Sequence, residues 1–152
     1  MTRLIPATAA LLAILALSSA ARAQEPANPV GFPLSCTIPA GQLTASAQIA
    51  LPAGKRIVLE NVSARVHAPS GQTVQFYVST SSPNLPNGTI AARHFIPLTP
   101  TNSGTFYFAN QSLRMYGTTG SSVSIHCQRI SYPVGAPGAV QYDVHFSGYL
   151  LP

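Results

Sequence analysis

The chain has 152 residues with eight Lys and Arg, only three Asp and Glu, and four His. That length suits one domain with a sizeable core. So few acids argue against two-carboxylate hydrolysis. Basic residues scattered singly, with only Lys55 and Arg56 adjacent, argue against a nucleic-acid surface despite the formal charge of +5.

The chain begins with Arg3, an apolar run from Leu4 to Leu17, and small residues ending in Ala21-Arg22-Ala23. A basic start, a short apolar stretch and a small-x-small site read as a secretory signal over residues 1–23. The run is too short to span a bilayer, which needs roughly 20 apolar residues, and no comparable run follows it. The expected location is therefore periplasmic or extracellular, with no transmembrane segment left after cleavage. The remaining 129 residues start at Gln24, and 32 of them are Val, Ile, Leu or Phe. That fraction is enough for a packed core.

Residues 24–34, with Pro26, Pro29 and Pro33, read as an extended leader to a single domain over 35–152. Period-two alternation follows. Leu43, Ala45, Ala47 and Ile49 mark a half-buried strand, and Leu51-Pro52-Ala53-Gly54 a turn. Arg56 to Val66 is the strongest strand pattern. Its apolar residues change face near Glu60-Asn61, which predicts a bulge. Thr73–Thr80 points Val74, Phe76 and Val78 inward. A Pro/Asn-Gly loop over Ser81–Gly88 precedes a strand over Thr89–Ile96. Two short segments, Thr105–Ala109 and Ser112–Tyr116, come next. Val123, Ile125 and Cys127 then face the core, and a Pro/Gly loop runs from Tyr132 to Gly138. Val140, Tyr142, Val144 and Phe146 line the inner face of the last strand. About eight short strands with Gly/Pro turns predict an all-β, antiparallel, jelly-roll-like sandwich. An immunoglobulin-like arrangement is the alternative, although Trp is absent and Cys36 precedes the first strong strand.

In an exported protein, Cys36 and Cys127 read as a disulfide. Asn61, Asn87 and Asn110 each open an Asn-x-Ser/Thr triplet, incidental beside a signal of bacterial style.

The stretch Leu51–Ala64, L-P-A-G-K-R-I-V-L-E-N-V-S-A, resembles a P-A-G-K-R-L-V-I-E-x-V-S pattern of uncharacterised exported bacterial β-sandwich proteins. In these a final Ser-Gly-Tyr-Leu-like strand is typical, here Ser147-Gly148-Tyr149-Leu150. The resemblance implies a fold and export, and no activity.

Chemistry-bearing constellations are sparse. His67, His94, His126 and His145 show no ligand spacing such as His-x-His or His-Glu-x-x-His. If the last two long strands pair, His126, Asp143 and His145 approach one another as weak metal candidates. No Gly-x-Ser-x-Gly elbow occurs, and no cofactor is expected. Alternation places Tyr77, Tyr107, Tyr116 and Tyr149 outward, where an apolar ring with a polar tip suits glycan or protein contact. Lys55 and Arg56 head the longest strand and offer an anionic contact. The expected role is a non-catalytic binding or surface-associated module, with a glycan or protein ligand. The alternatives are a self-associating structural subunit, whose strand edges carry few Lys, and a His-metal enzyme.

Overall fold

Alternating patterns become strands wherever one face can be buried against a second sheet. The computed structural model describes residues 28–81, 90–131 and 138–152. They form β1 (Asn28–Ile38), β2 (Thr44–Ala50), β3 (Arg56–His67), β4 (Thr73–Ser81), β5 (Ile90–Ile96), the two-residue β6 (Thr99–Pro100), β7 (Phe106–Gly117), β8 (Ser122–Ser131) and β9 (Val140–Leu151). No helix among them is long and apolar enough to cross a membrane. The signal expected over residues 1–23 and most of both Pro-rich loops lie outside the described residues.

A five-stranded sheet has the order β1-β9-β3-β7-β6, and a four-stranded sheet the order β2-β8-β4-β5. The eight long strands form antiparallel pairs β1·β9, β2·β8, β3·β7 and β4·β5. Successive strands change sheet everywhere except between β4 and β5 and at the short β6. This is jelly-roll order, as expected, and not the immunoglobulin-like alternative.

The core lies between the sheets. The five-stranded sheet contributes Ile57, Leu59, Val62, Val66, Tyr142 and Phe146; the four-stranded sheet contributes Phe76, Val78, Val123 and Ile125. Phe76 meets Tyr142 edge-on, with ring centroids 6.0 Å apart. The Tyr142 hydroxyl donates to the Gln128 carbonyl at 2.9 Å, with the Gln75 carbonyl at 3.2 Å. Burial pushes its pKa up, so this hydroxyl stays neutral. Arg129 extends the inward row of β8 and is buried, its Nη2 donating to the Gly138 carbonyl at 2.9 Å. It helps close the end of the sandwich where backbone carbonyls would otherwise lack partners.

The expected bulge is present: the pairing of β3 with both β7 and β9 shifts between Leu59 and Asn61. Gly148 sits against it, where a Cβ would lie 2.0 Å from the Val58 carbonyl oxygen. In the Pro52–Lys55 turn, Gly54 has φ +72° and the Lys55 amide donates to the Pro52 carbonyl at 3.1 Å. Only glycine adopts that φ without strain.

Several details differ from the sequence expectation. From Asn28, the segment read as a leader is strand β1, paired with β9 along its whole length. Pro29 and Pro33 fit because β1 is an edge strand, where a missing N–H costs no ladder bond. The two segments around Phe106 and Leu113 are one strand, β7. Cys36 and Cys127 come from opposite sheets and are both buried. In this structure they are free thiols, not the expected disulfide. The Cys127 thiol hydrogen-bonds to Cys36, pulling the Cys36 pKa down; the same bond and burial push Cys127 up.

Candidate functional site

Because Val74, Phe76, Val78 and Thr80 of β4 point inward, Gln75, Tyr77 and Ser79 point out of the four-stranded sheet. Register then sets their neighbours. Ser46 of β2 faces His126 of β8, His126 faces Tyr77 of β4, and Tyr77 faces Phe95 of β5. One row thus crosses the whole sheet, and its rings touch. Tyr77 and His126 stack at 4.6 Å with an interplanar angle of 12°. Tyr77 and Phe95 lie 5.2 Å apart and tilted. The next row is Gln48, Ser124, Ser79 and Arg93. The Arg93 guanidinium carbon stands 4.4 Å from the Tyr77 ring centroid.

These contacts leave Tyr77 only 8% exposed, while Phe95 is 57% exposed. The outer face of Phe95 is therefore the part of the row open to a partner. Ser79 Oγ and His126 Nε2 are 3.0 Å apart. Burial first, and the Arg93 charge second, lower the His126 pKa. At neutral pH its ring is uncharged and offers both a hydrogen-bonding edge and an apolar face. Beside it, Ser46, Gln48, Ser124 and His126 line a depression of about 380 Å³ between β2 and β8. Gln75 and Gln128 join side chain to side chain on the same face.

The tyrosines expected on one polar surface are divided. Tyr77 belongs to the row just described. Tyr107 points inward, packs at the core margin and donates to the Gln72 carbonyl at 2.7 Å. The Thr105–Ala109 segment has the opposite parity to that expected, with Phe108 outward and 48% exposed, while Leu113 and Met115 point inward and Tyr116 outward as expected. Tyr116 and Tyr149 lie on the outer face of the five-stranded sheet, separated by Val58.

The histidines do not converge either. β8 and β9 lie in different sheets, so His126 is on one outer face while Asp143 and His145 are on the other. His94 hydrogen-bonds Gln111 across the β5–β7 side at 3.1 Å, and His67 packs on Phe106 at 4.9 Å. Among the described residues no three His, Cys, Asp or Glu side chains gather into a metal-binding group. Arg56 Nε donates to the Pro152 carbonyl at 3.0 Å, tying down the end of the chain.

The five-stranded sheet has its own shallow groove, also about 380 Å³, lined in part by Pro33, Ser63, Arg65, Phe108, Asp143 and His145. Arg65 and Asp143 face each other across the β3–β9 ladder. Asp143 Oδ1 accepts from Ser35 Oγ at 3.2 Å and from Gln141 Nε2 at 3.3 Å.

No protein-family model and no curated protein matches the chain. Among solved structures it is similar to the infectious bursal disease virus VP2 subviral particle, with a TM-score of 0.50 and 9% identity. That match covers 80% of this chain but 32% of the viral one, so the chain spans about a third of the viral protein's length. A second similar structure is Aeromonas hydrophila PliG, a periplasmic lysozyme inhibitor of g-type lysozyme, with a TM-score of 0.32 and 12% identity. Its match covers 82% of this chain and 89% of that one. The viral likeness shows the β-sandwich fold alone.

Proposed function

We propose that this chain is an exported, non-catalytic binding module that holds a saccharide on the outer face of its four-stranded sheet. The observation that carries the reading is the in-register row of touching rings, Phe95, Tyr77 and His126, flanked by Ser46, Gln48, Ser79 and Ser124. Tyr77 and His126 cover each other's faces and hold Phe95 in place, and the exposed Phe95 ring is the apolar surface for the C–H face of a sugar. The hydroxyls and amides around them match sugar hydroxyls. Export rests on the signal-like N-terminus.

The Ser79–His126 contact resembles the nucleophile–base pair of a catalytic triad without its third member. Ser79 is buried, and β2, β4, β5 and β8 contain no Asp or Glu to orient the imidazole. Both facts support binding over catalysis. The test is titration of the exported chain with a panel of neutral and acidic oligosaccharides, read by NMR at His126 and Tyr77. Saturable shifts at these rings, weakened about tenfold in Phe95→Ser, are the expected result. No binding across the panel overturns the reading.

One observation favours a second reading, a self-associating structural subunit. β6 pairs only with Tyr107 and Phe108 of β7. No other described strand covers the Ala109–Gly117 edge, which is open to strand addition. Sedimentation over a concentration series separates the readings: a monomer at all concentrations removes this one.

A further inference from the structure

We infer that the saccharide held on this face is acidic, and that Arg93 reads its carboxylate; the inference rests on the binding reading above. The four strands of this sheet contain two basic residues, Arg93 and Arg129, and no Asp or Glu. Arg129 points into the core, so Arg93 is the single charge on the outer face. The two acids among the described residues, Glu60 and Asp143, belong to β3 and β9 of the opposite sheet. The guanidinium lies over the Tyr77 ring at 4.4 Å and is exposed. Its charge acts on His126, where it helps lower the pKa.

A fixed positive charge therefore stands at the edge of the aromatic row with no carboxylate on its own sheet to neutralise it. The ring contact orients the guanidinium without occupying its N–H donors, because a π face engages the plane of the fork and not its edge. Those donors match a planar carboxylate in bidentate fashion. A hexuronate residue supplies that carboxylate together with the C–H face that stacks on Phe95, and the next residues of the oligosaccharide cross the sheet to Ser124, Ser46 and Gln48, two to three strands away. A single guanidinium is too little for a polyphosphate chain, which needs clustered cations.

The experiment uses the full exported chain and two probes of equal length, an oligogalacturonate and its fully methyl-esterified form. Each is titrated into the wild type, Arg93→Gln and Phe95→Ser at low and at moderate salt. The wild type is expected to bind the acid about tenfold more tightly than the ester, as one charge-assisted bidentate contact provides. Arg93→Gln removes that preference, so that acid and ester bind alike, whereas Phe95→Ser weakens both probes. In the unliganded variant Arg93→Gln, the His126 pKa rises, which confirms that the fold and the local field are as described.

Equal wild-type affinity for acid and ester overturns the inference and leaves the saccharide reading standing. A preference that survives Arg93→Gln also overturns it, by placing the carboxylate elsewhere. Binding of neither probe, or binding insensitive to both variants, overturns the inference and the saccharide reading together.

Discussion

The two outer faces of this sandwich carry grooves of the same size, about 380 Å³ each, yet differ in what they leave unsatisfied. On the five-stranded sheet Arg65 faces Asp143 in register, and Asp143 takes further hydrogen bonds from Ser35 and Gln141. Its two outward tyrosines are held apart by Val58. On the four-stranded sheet the rings touch, the one outward charge has no acid on its sheet, and Phe95 is open. Neither groove volume nor ring contact separates the faces, since His67 packs on Phe106 beneath Arg65 on the five-stranded sheet; the acid facing Arg65 on one sheet, and the lack of any acid on the strands around Arg93 on the other, do.

The comparison requires the sheets to be joined firmly, and the largest expected effect tests that joint. Cys36 and Cys127 bring one buried thiol from each sheet into hydrogen-bond contact. Cys36→Ala takes the hydrogen-bond partner from the buried Cys127 thiol and leaves a gap between the sheets, at a cost of about 3–4 kcal/mol in urea unfolding. An unchanged midpoint would mean that the pair does not join the sheets.

A smaller break is confined to the five-stranded sheet. Gly148→Ala places a Cβ 2.0 Å from the Val58 carbonyl and 3.0 Å from the Leu59 Cα, both backbone atoms. The bulge must shift, at a cost of about 2–3 kcal/mol in urea unfolding. The Tyr77 and His126 ring signals should stay in place in the molecules that remain folded. If those signals move, the two faces are coupled and cannot be treated separately.

Local pattern made much of this legible. Strand positions, the bulge at Glu60-Asn61 and the jelly-roll class follow from alternation and turn residues, which act over a few positions. Strand partnership does not. His126, Asp143 and His145 share outward parity, but parity cannot say that β8 and β9 lie in different sheets. Tyr107 was misplaced because Phe106, Tyr107 and Phe108 are all large and apolar, so hydropathy alone leaves the face undecided. Phe95 and Arg93 carried no signal until β5 was set in register against β4. The long Ser81–Gly88 connection leaves that register open, as a two-residue hairpin turn would not. The leader became β1 because β9 offers it a full-length partner, a long-range fact that its prolines conceal.

The next effect should be functional and asymmetric. Phe95→Ser and Tyr116→Ser each remove an exposed ring, 57% and 56% accessible respectively. Each should change stability by no more than about 0.5 kcal/mol. Only Phe95→Ser should weaken oligosaccharide binding. Equal losses from both would place the ligand on both faces, or on neither as described.

The smallest effect is a pH dependence that belongs to the four-stranded face alone. The His126 pKa lies below its ordinary value of 6.5, first through burial and then through the Arg93 charge. In the unfolded chain neither cause operates. Above about pH 6.5 the imidazole is neutral in both states, and stability is unaffected. As pH falls through 6.5 the unfolded chain takes up a proton first, so folding stability declines. The decline ends once pH passes the lower folded-state pKa. His126→Gln should abolish this step in thermal midpoint against pH, and Arg93→Gln should narrow it by removing the second cause. A step of unchanged width in Arg93→Gln would mean that the guanidinium does not act on the imidazole, and the electrostatic unity of the row would fail with it.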